Sequence, residues 1–171
     1  MNTIPWFERD LKFGHPIEML PYFLERLEGT SLRIESKVKG VSDEILSTQL
    51  NGKWSIKQHI GHLAEVDQIN YKRIAEMIAG VPLLSPAVFE PQNYNPQGID
   101  GVLYFFRTTR AKNIRRYAEL SESELIKSSL HPRLKKQMTP VDLAWLDAEH
   151  DDHHLVGIQN LISRLKSDAL L

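Results

Sequence analysis

The densest group of reactive side chains in this sequence is the run Glu149-His150-Asp151-Asp152-His153-His154, three acids and three histidines in six positions. His150 and His154 are four apart. On a helix turning about 100° per residue their rings lie one turn apart on one face and can converge on a single point. That spacing offers a divalent metal two neutral imidazole nitrogens at about 2.0–2.1 Å. Leu143, Leu146, Gly157, Leu161 and Leu165 share the face, so the pair sits in the middle of an apolar stripe. Burying an imidazole costs free energy unless each ring nitrogen finds a partner, and a metal satisfies one nitrogen on each ring at once. His153 is the rival within the cluster, but the edge it shares with Asp151 and Asp152 marks it as an outer or exposed residue.

A third ligand has to come from another helix. His59 and His62 lie in a segment whose apolar arc is built from Ile56, Ile60, Leu63, Val66, Ile69, Ile74 and Met77. Both fall on the inner side, and spacing alone does not choose between them. Three histidines would leave one coordination position open, which favours chemistry over scaffolding because structural sites are generally closed by four protein ligands. Asp67, Glu149 and Asp151 are candidates for orienting the ligands or moving protons, against the blander reading of solvated helix-face charges. Trp54 and Trp145 read as core anchors, and Trp6, Phe7 and Phe13 as packing on the body of the protein or in a dimer interface.

The elements that must position these residues are helices. A first runs from Ile17 to Val38, with Pro16 and Pro21 near its start. Ser55 followed by Gln58 is a capping box, and Gly80 then Pro82 a stop, which predicts a second helix from Ile56 to Ala79. A third spans Asp100 to Ala118, a short one succeeds the Ser121/Glu124 capping box, and the last starts at Thr139-Pro140 and continues to Lys166. The Pro/Asn/Gly-rich segment 80–98 is too long for a bundle turn and reads as a crossover strap between non-adjacent helices. Strand signals are almost absent, so the fold class is an all-α four-helix bundle in a single domain over 1–171.

Composition narrows the function classes. With 21 basic and 22 acidic residues, interspersed and netting −1, the chain lacks the basic stripe nucleic acid demands. Arg133, Lys135 and Lys136 make only a short run typical of a solvated turn. The absence of cysteine excludes a disulfide framework, thiolate ligands and a cysteine nucleophile, so any sulfur chemistry needs a thiol brought in with a substrate. No apolar run approaches the ~20 residues that span a bilayer, and the N-terminal MNTIPWFERD has no signal-peptide core, which makes a cytoplasmic location the default expectation.

Two stretches also carry a family resemblance. GKWSIKQHIGHLAEVD at 52–67 resembles the W-S-x-x-x-x-x-x-H-L pattern of the DinB-like (YfiT-type) superfamily, and HPRLKKQMTPVDLAWLDAEHDDHHLVGIQNLI at 131–162 resembles its H-x-x-x-H region. FGHPIEMLPYFLERLEGT at 13–30 is similar to the family's first helix, so the likeness covers nearly the whole chain. It implies ligands at His62, His150 and His154, with His59, His15 and His131 pointing elsewhere. It further implies a four-helix bundle with one long crossover, often dimeric, holding a divalent metal, zinc or nickel, at one end of the bundle. Its implied activity is transfer of a low-molecular-weight thiol cosubstrate to a small electrophilic molecule. Hydrolysis by metal-bound water, or a non-catalytic stress-related bundle, are the alternatives. The expected partners are thus a small-molecule substrate, a thiol and a second copy of the chain, with no nucleic acid and no membrane.

Overall fold

Proline, cap and glycine positions set where each helix begins and ends. The computed structural model describes residues 4–87 and 92–168, so part of the segment 80–98 lies outside the described residues. Pro16 opens a 3-10 turn at Ile17–Met19, and Pro21, in the first turn of the first long helix, delays regular α1 to Leu20–Val38. A five-residue helix α2, Asp43–Ser47, is capped by Ser42 and was not anticipated. Helix α3, Ile56–Ile78, starts at the capping box, with Gln58 N–H donating to Ser55 Oγ (3.2 Å) and Ser55 N–H to Gln58 Oε1 (2.9 Å). Gly80, at φ +73°, takes the left-handed conformation that closes its last turn. Helix α4 spans Ile99–Ala118, α5 Glu122–Leu125 and α6 Pro140–Asp168, the last started by Thr139 and Asp142 capping each other.

Helices α1, α6, α3 and α4 form a closed ring in that order, with α3 packed most extensively against α4. One apolar cluster joins Leu20, Phe23 and Leu27 to Met77, Tyr117 and Val141; the other joins Ile34 and Val38 to Ile56, Ile60, Val102, Ile158 and Ile162. The starts of α1 and α6 therefore share one end of the bundle with the ends of α3 and α4. Successive neighbours α3 and α4 run parallel.

That arrangement corrects the role of the crossover. It links adjacent helices, and its length comes from the need to return along the whole of α3, about 34 Å at 1.5 Å per residue. Its described residues meet α3 at three levels: Ser85 is held by Glu76 and by Arg73 near the helix end, Tyr94 O–H donates to Glu65 Oε1 (2.7 Å), and Ser55 O–H donates to Asn95 Oδ1 (2.6 Å) at the start. The diagonal steps are made by the other two connections, α1 to α3 through α2 and α4 to α6 through α5. The latter also holds a two-stranded antiparallel pair, β1 (Ser129–Leu130) and β2 (Gln137–Met138), with Leu83 of the crossover bridged to Leu130. Two-residue strands are too short to show a period in sequence. The all-helical expectation misses them, but the four-helix bundle stands.

Gly61 explains how closely the crossover approaches α3. A Cβ at this position would overlap the Tyr94 ring, reaching 2.6 Å from its Cγ. Gly61→Ala should therefore lift Tyr94 off the helix and destabilise the protein by about 1–3 kcal/mol, the cost of overpacking, despite alanine's better helix propensity. Urea unfolding of the variant checks this; an unchanged midpoint would show that Tyr94 is not seated there.

Candidate functional site

Between the two apolar clusters, not at one end of the bundle, α3 contributes His62 and α6 contributes His150 and His154. One ring nitrogen from each lies within 4.8 Å of the other two. His150 Nε2 and His154 Nε2 face each other at 3.0 Å. Burial disfavours the imidazolium form in all three: His62 is pushed down to about 4, with the His59 charge a further cause, and His150 and His154 lie well below the usual histidine range. Neutral imidazoles are the ligand form, and converging acceptor nitrogens in a buried place are poorly satisfied by one another, so the residues present fit a divalent cation.

Two expectations about the surroundings are corrected by the structure. His59 does not point elsewhere: its Nδ1 lies 2.7 Å from Nδ1 of His154, on the side of that ring away from His150. Gly157 provides the room, since a Cβ there would come within 3.3 Å of His59 Cε1. Trp54 is no core anchor. It remains 40% exposed, stacks parallel to the His154 ring at 5.9 Å and lies 4.6 Å from that of His62. On the opposite side Trp6 meets His150 edge-on at 5.0 Å and His153 at 5.7 Å, which places His153 at the margin. Trp145 does pack against the core, with Phe13 and His15 on its ring.

The acids are paired with cations of other segments instead of lying as free helix-face charges. Arg110 of α4 holds Asp151 through both terminal nitrogens and Asp67 through Nε (3.0 Å), while Thr30 donates to Asp151 (2.7 Å) and Asn113 to Asp67 (2.9 Å). Burial opposes the Arg110 charge, but Asp151 and Asp67 outweigh it and raise its pKa. The cluster clamps four helices together beneath the histidines. Glu149 instead ties the N-terminal segment down through Arg9 and pairs with Arg26 of α1.

The histidines open onto a cavity of about 690 Å³ whose wall includes Trp6, Trp54, Arg73, His131, Arg133 and Asp147. The turn after His131 lines it, and so do Pro86 and Ala87 of the crossover. Asp147 was missed although it lies seven residues before His154, two turns along the same face. Burial and the neighbouring Asp67 charge push its pKa well up, and its Oδ1 accepts from Asn70.

His131 takes no part in the histidine cluster, but its Nδ1 accepts the backbone N–H groups of Arg133 (3.3 Å) and Leu134 (3.1 Å). Burial, with the charges of Arg73 and Arg133, lowers its pKa to about 4. The unfolded chain then takes up a proton near the ordinary histidine value of 6.5 that the folded chain refuses, so this contribution is present above 6.5 and lost as pH falls toward 4. Asparagine at 131 can accept the same bonds without titrating. Wild type should lose stability relative to His131→Asn between pH 7 and 5, read as diverging urea midpoints; parallel midpoints would contradict it.

Among the described residues no helix is long and apolar enough to cross a membrane. By fold, the protein is similar to YfiT from Bacillus subtilis, described as a probable metal-dependent hydrolase with an unusual four-helix bundle topology (TM-score 0.78, 18% identity, covering 91% of this chain and 92% of that one). It is also similar to a mycothiol-dependent maleylpyruvate isomerase (TM-score 0.64, 14% identity), covering 80% of this chain and 59% of the isomerase. No curated protein matches it by sequence. Residues 26–156 match the DinB superfamily, and the chain belongs to that family.

Proposed function

We propose that His62, His150 and His154 hold a divalent metal and that the protein is a metal-dependent enzyme joining a low-molecular-weight thiol to a small electrophile. The observation that carries this reading is the number of converging ligands. Among the described residues the cluster contains three histidines and no fourth protein ligand, and it faces a cavity large enough for small molecules. A bound ion would supply Lewis-acid activation of a thiol or a water. The chain's own residues bind and orient: Trp54 and Trp6 wall the histidines against bulk water, and the Arg110 cluster fixes the relative position of α3 and α6. With no cysteine of its own, the protein must receive any sulfur from a cosubstrate. Likeness to a mycothiol-dependent isomerase supports thiol chemistry; likeness to a protein named as a probable hydrolase supports water as the alternative nucleophile.

The test is consumption of free thiol in the presence of an electrophile, across several thiols, by metal-loaded wild type and by His150→Ala. Wild type should be faster by orders of magnitude. Equal rates across all thiols would remove the transferase reading, and turnover without thiol loss would select hydrolysis.

His59 tests the metal assignment from the other side of the ring. For His154 Nε2 to ligate, its proton must sit on Nδ1 and be donated to His59 Nδ1. His59→Ala should weaken metal binding by roughly 10–100-fold, and His59→Asn, which retains an acceptor, should restore most of it. Competition with a chromogenic chelator measures both affinities; an unaltered affinity in His59→Ala would refute the role.

A further inference from the structure

The cavity carries a second feature besides the histidines, and it is cationic. Arg73 of α3 is only 5% exposed, yet among the described residues no carboxylate lies within 4.0 Å of it. Its Nε and Nη2 donate to Ser85 O (3.2 and 3.1 Å) and its Nη1 to Asn70 Oδ1 (3.3 Å). A guanidinium has five N–H groups, so two remain without an acceptor among the described residues. His131, also in the wall, uses Nδ1 as an acceptor for two backbone N–H groups. That fixes its proton on Nε2, and no hydrogen bond among the described residues occupies Nε2. Arg133 completes the set: its guanidinium lies over the Phe7 ring at 3.4 Å, with no ion pair among the described residues, at the exposed rim of the same cavity. Both arginines act electrostatically on His131, so the three sit together.

Two nearby acids, Asp147 and Glu76, act on Arg73 electrostatically, but among the described residues neither is paired with it. Glu76 is engaged by the Ser85 backbone and hydroxyl and by Lys72. Asp147 is held toward its neutral form by burial and by Asp67. Around these groups the wall is apolar and aromatic, with Trp6, Phe7 and Leu146 among its residues.

We propose that Arg73, His131 and Arg133 form an anion-recognising subsite, and that the small molecule taken up carries a carboxylate on an apolar body. The planar, two-oxygen acceptor matches the unused N–H pair of Arg73, with the His131 Nε2–H and the Arg133 charge beside it. The inference rests on the proposed thiol transfer for what happens at the other end of the molecule, but the subsite is built from residues outside the histidine cluster.

The experiment compares 3-phenylpropionate with 3-phenylpropionamide, titrated into the metal-loaded protein and read by amide NMR shifts. The acid should bind roughly 10-fold more tightly than the amide, as expected for a charged hydrogen-bonded partner. Arg133→Gln, a surface change, should shrink that preference several-fold, and Arg73→Gln should remove most of it. His150→Ala protein, which separates the subsite from any metal, should keep the preference. Equal affinity of acid and amide in wild type would overturn the proposal. So would a preference that disappears in His150→Ala while surviving in Arg133→Gln, because the carboxylate would then be bound by the metal. Failure of wild type to bind metal would count against the histidine site alone, since the acid–amide difference is still read.

Discussion

His150→Ala and His154→Ala proteins, purified without a nickel column, should contain no stoichiometric metal while wild type contains about one ion per chain. Each substitution removes one of three nitrogens that lie within 4.8 Å of one another, and two imidazoles are a weak site for any divalent ion. The helices should survive, because each ring removed is a neutral imidazole beside the cavity and its loss costs about 1–3 kcal/mol of packing. His153→Ala, which removes the marginal histidine against Trp6, should keep its metal. Thermal unfolding gives a second readout. Metal at 100 times its dissociation constant should stabilise wild type by about 2.7 kcal/mol and leave the two variants unmoved. Stoichiometric metal in either variant would refute the assignment.

The largest expected loss of stability lies with Arg110. Replacing it with methionine keeps the bulk but leaves Asp67 and Asp151, both 1% exposed, without their shared cation. Removing one partner of a buried ion pair typically costs about 3–5 kcal/mol, and here one cation serves two acids. Arg110→Met should therefore unfold at much lower urea than wild type. Adding Asp67→Asn and Asp151→Asn, which removes the stranded charges, should recover a large part of the loss. A midpoint close to wild type in Arg110→Met would mean the cluster contributes little. Because α3 and α6 carry the histidines and Arg110 bridges them from α4, weaker metal binding should accompany the loss of stability.

His150 and His154 were legible because helical period is a local signal that shows their common face from spacing alone, as residue order shows the caps at Ser55, Ser121 and Thr139, whereas His62 came from the family resemblance. His59 was legible only as an alternative to His62. Spacing placed it on the inner side, but its use of the far nitrogen of His154 depends on how α3 and α6 meet. The partners of Asp67 and Asp151 were invisible for the same reason, since Arg110 is more than 40 residues from each. Trp54 misleads because composition marks a tryptophan as apolar bulk, whereas the turn into α3 leaves it half-exposed beside His59, His62 and His154. The ring order of the bundle was beyond reach: periodicity reports which face of a helix is buried, not which neighbour covers it or in which direction that neighbour runs.

The most direct test is the metal's ligand sphere, read by X-ray absorption on the loaded protein before and after adding a small thiol. The expected spectrum shows three imidazole nitrogens and a light non-protein atom, with a sulfur scatterer appearing at bonding distance once thiol is added. Four protein ligands, or a sphere that thiol leaves unchanged, would contradict the account.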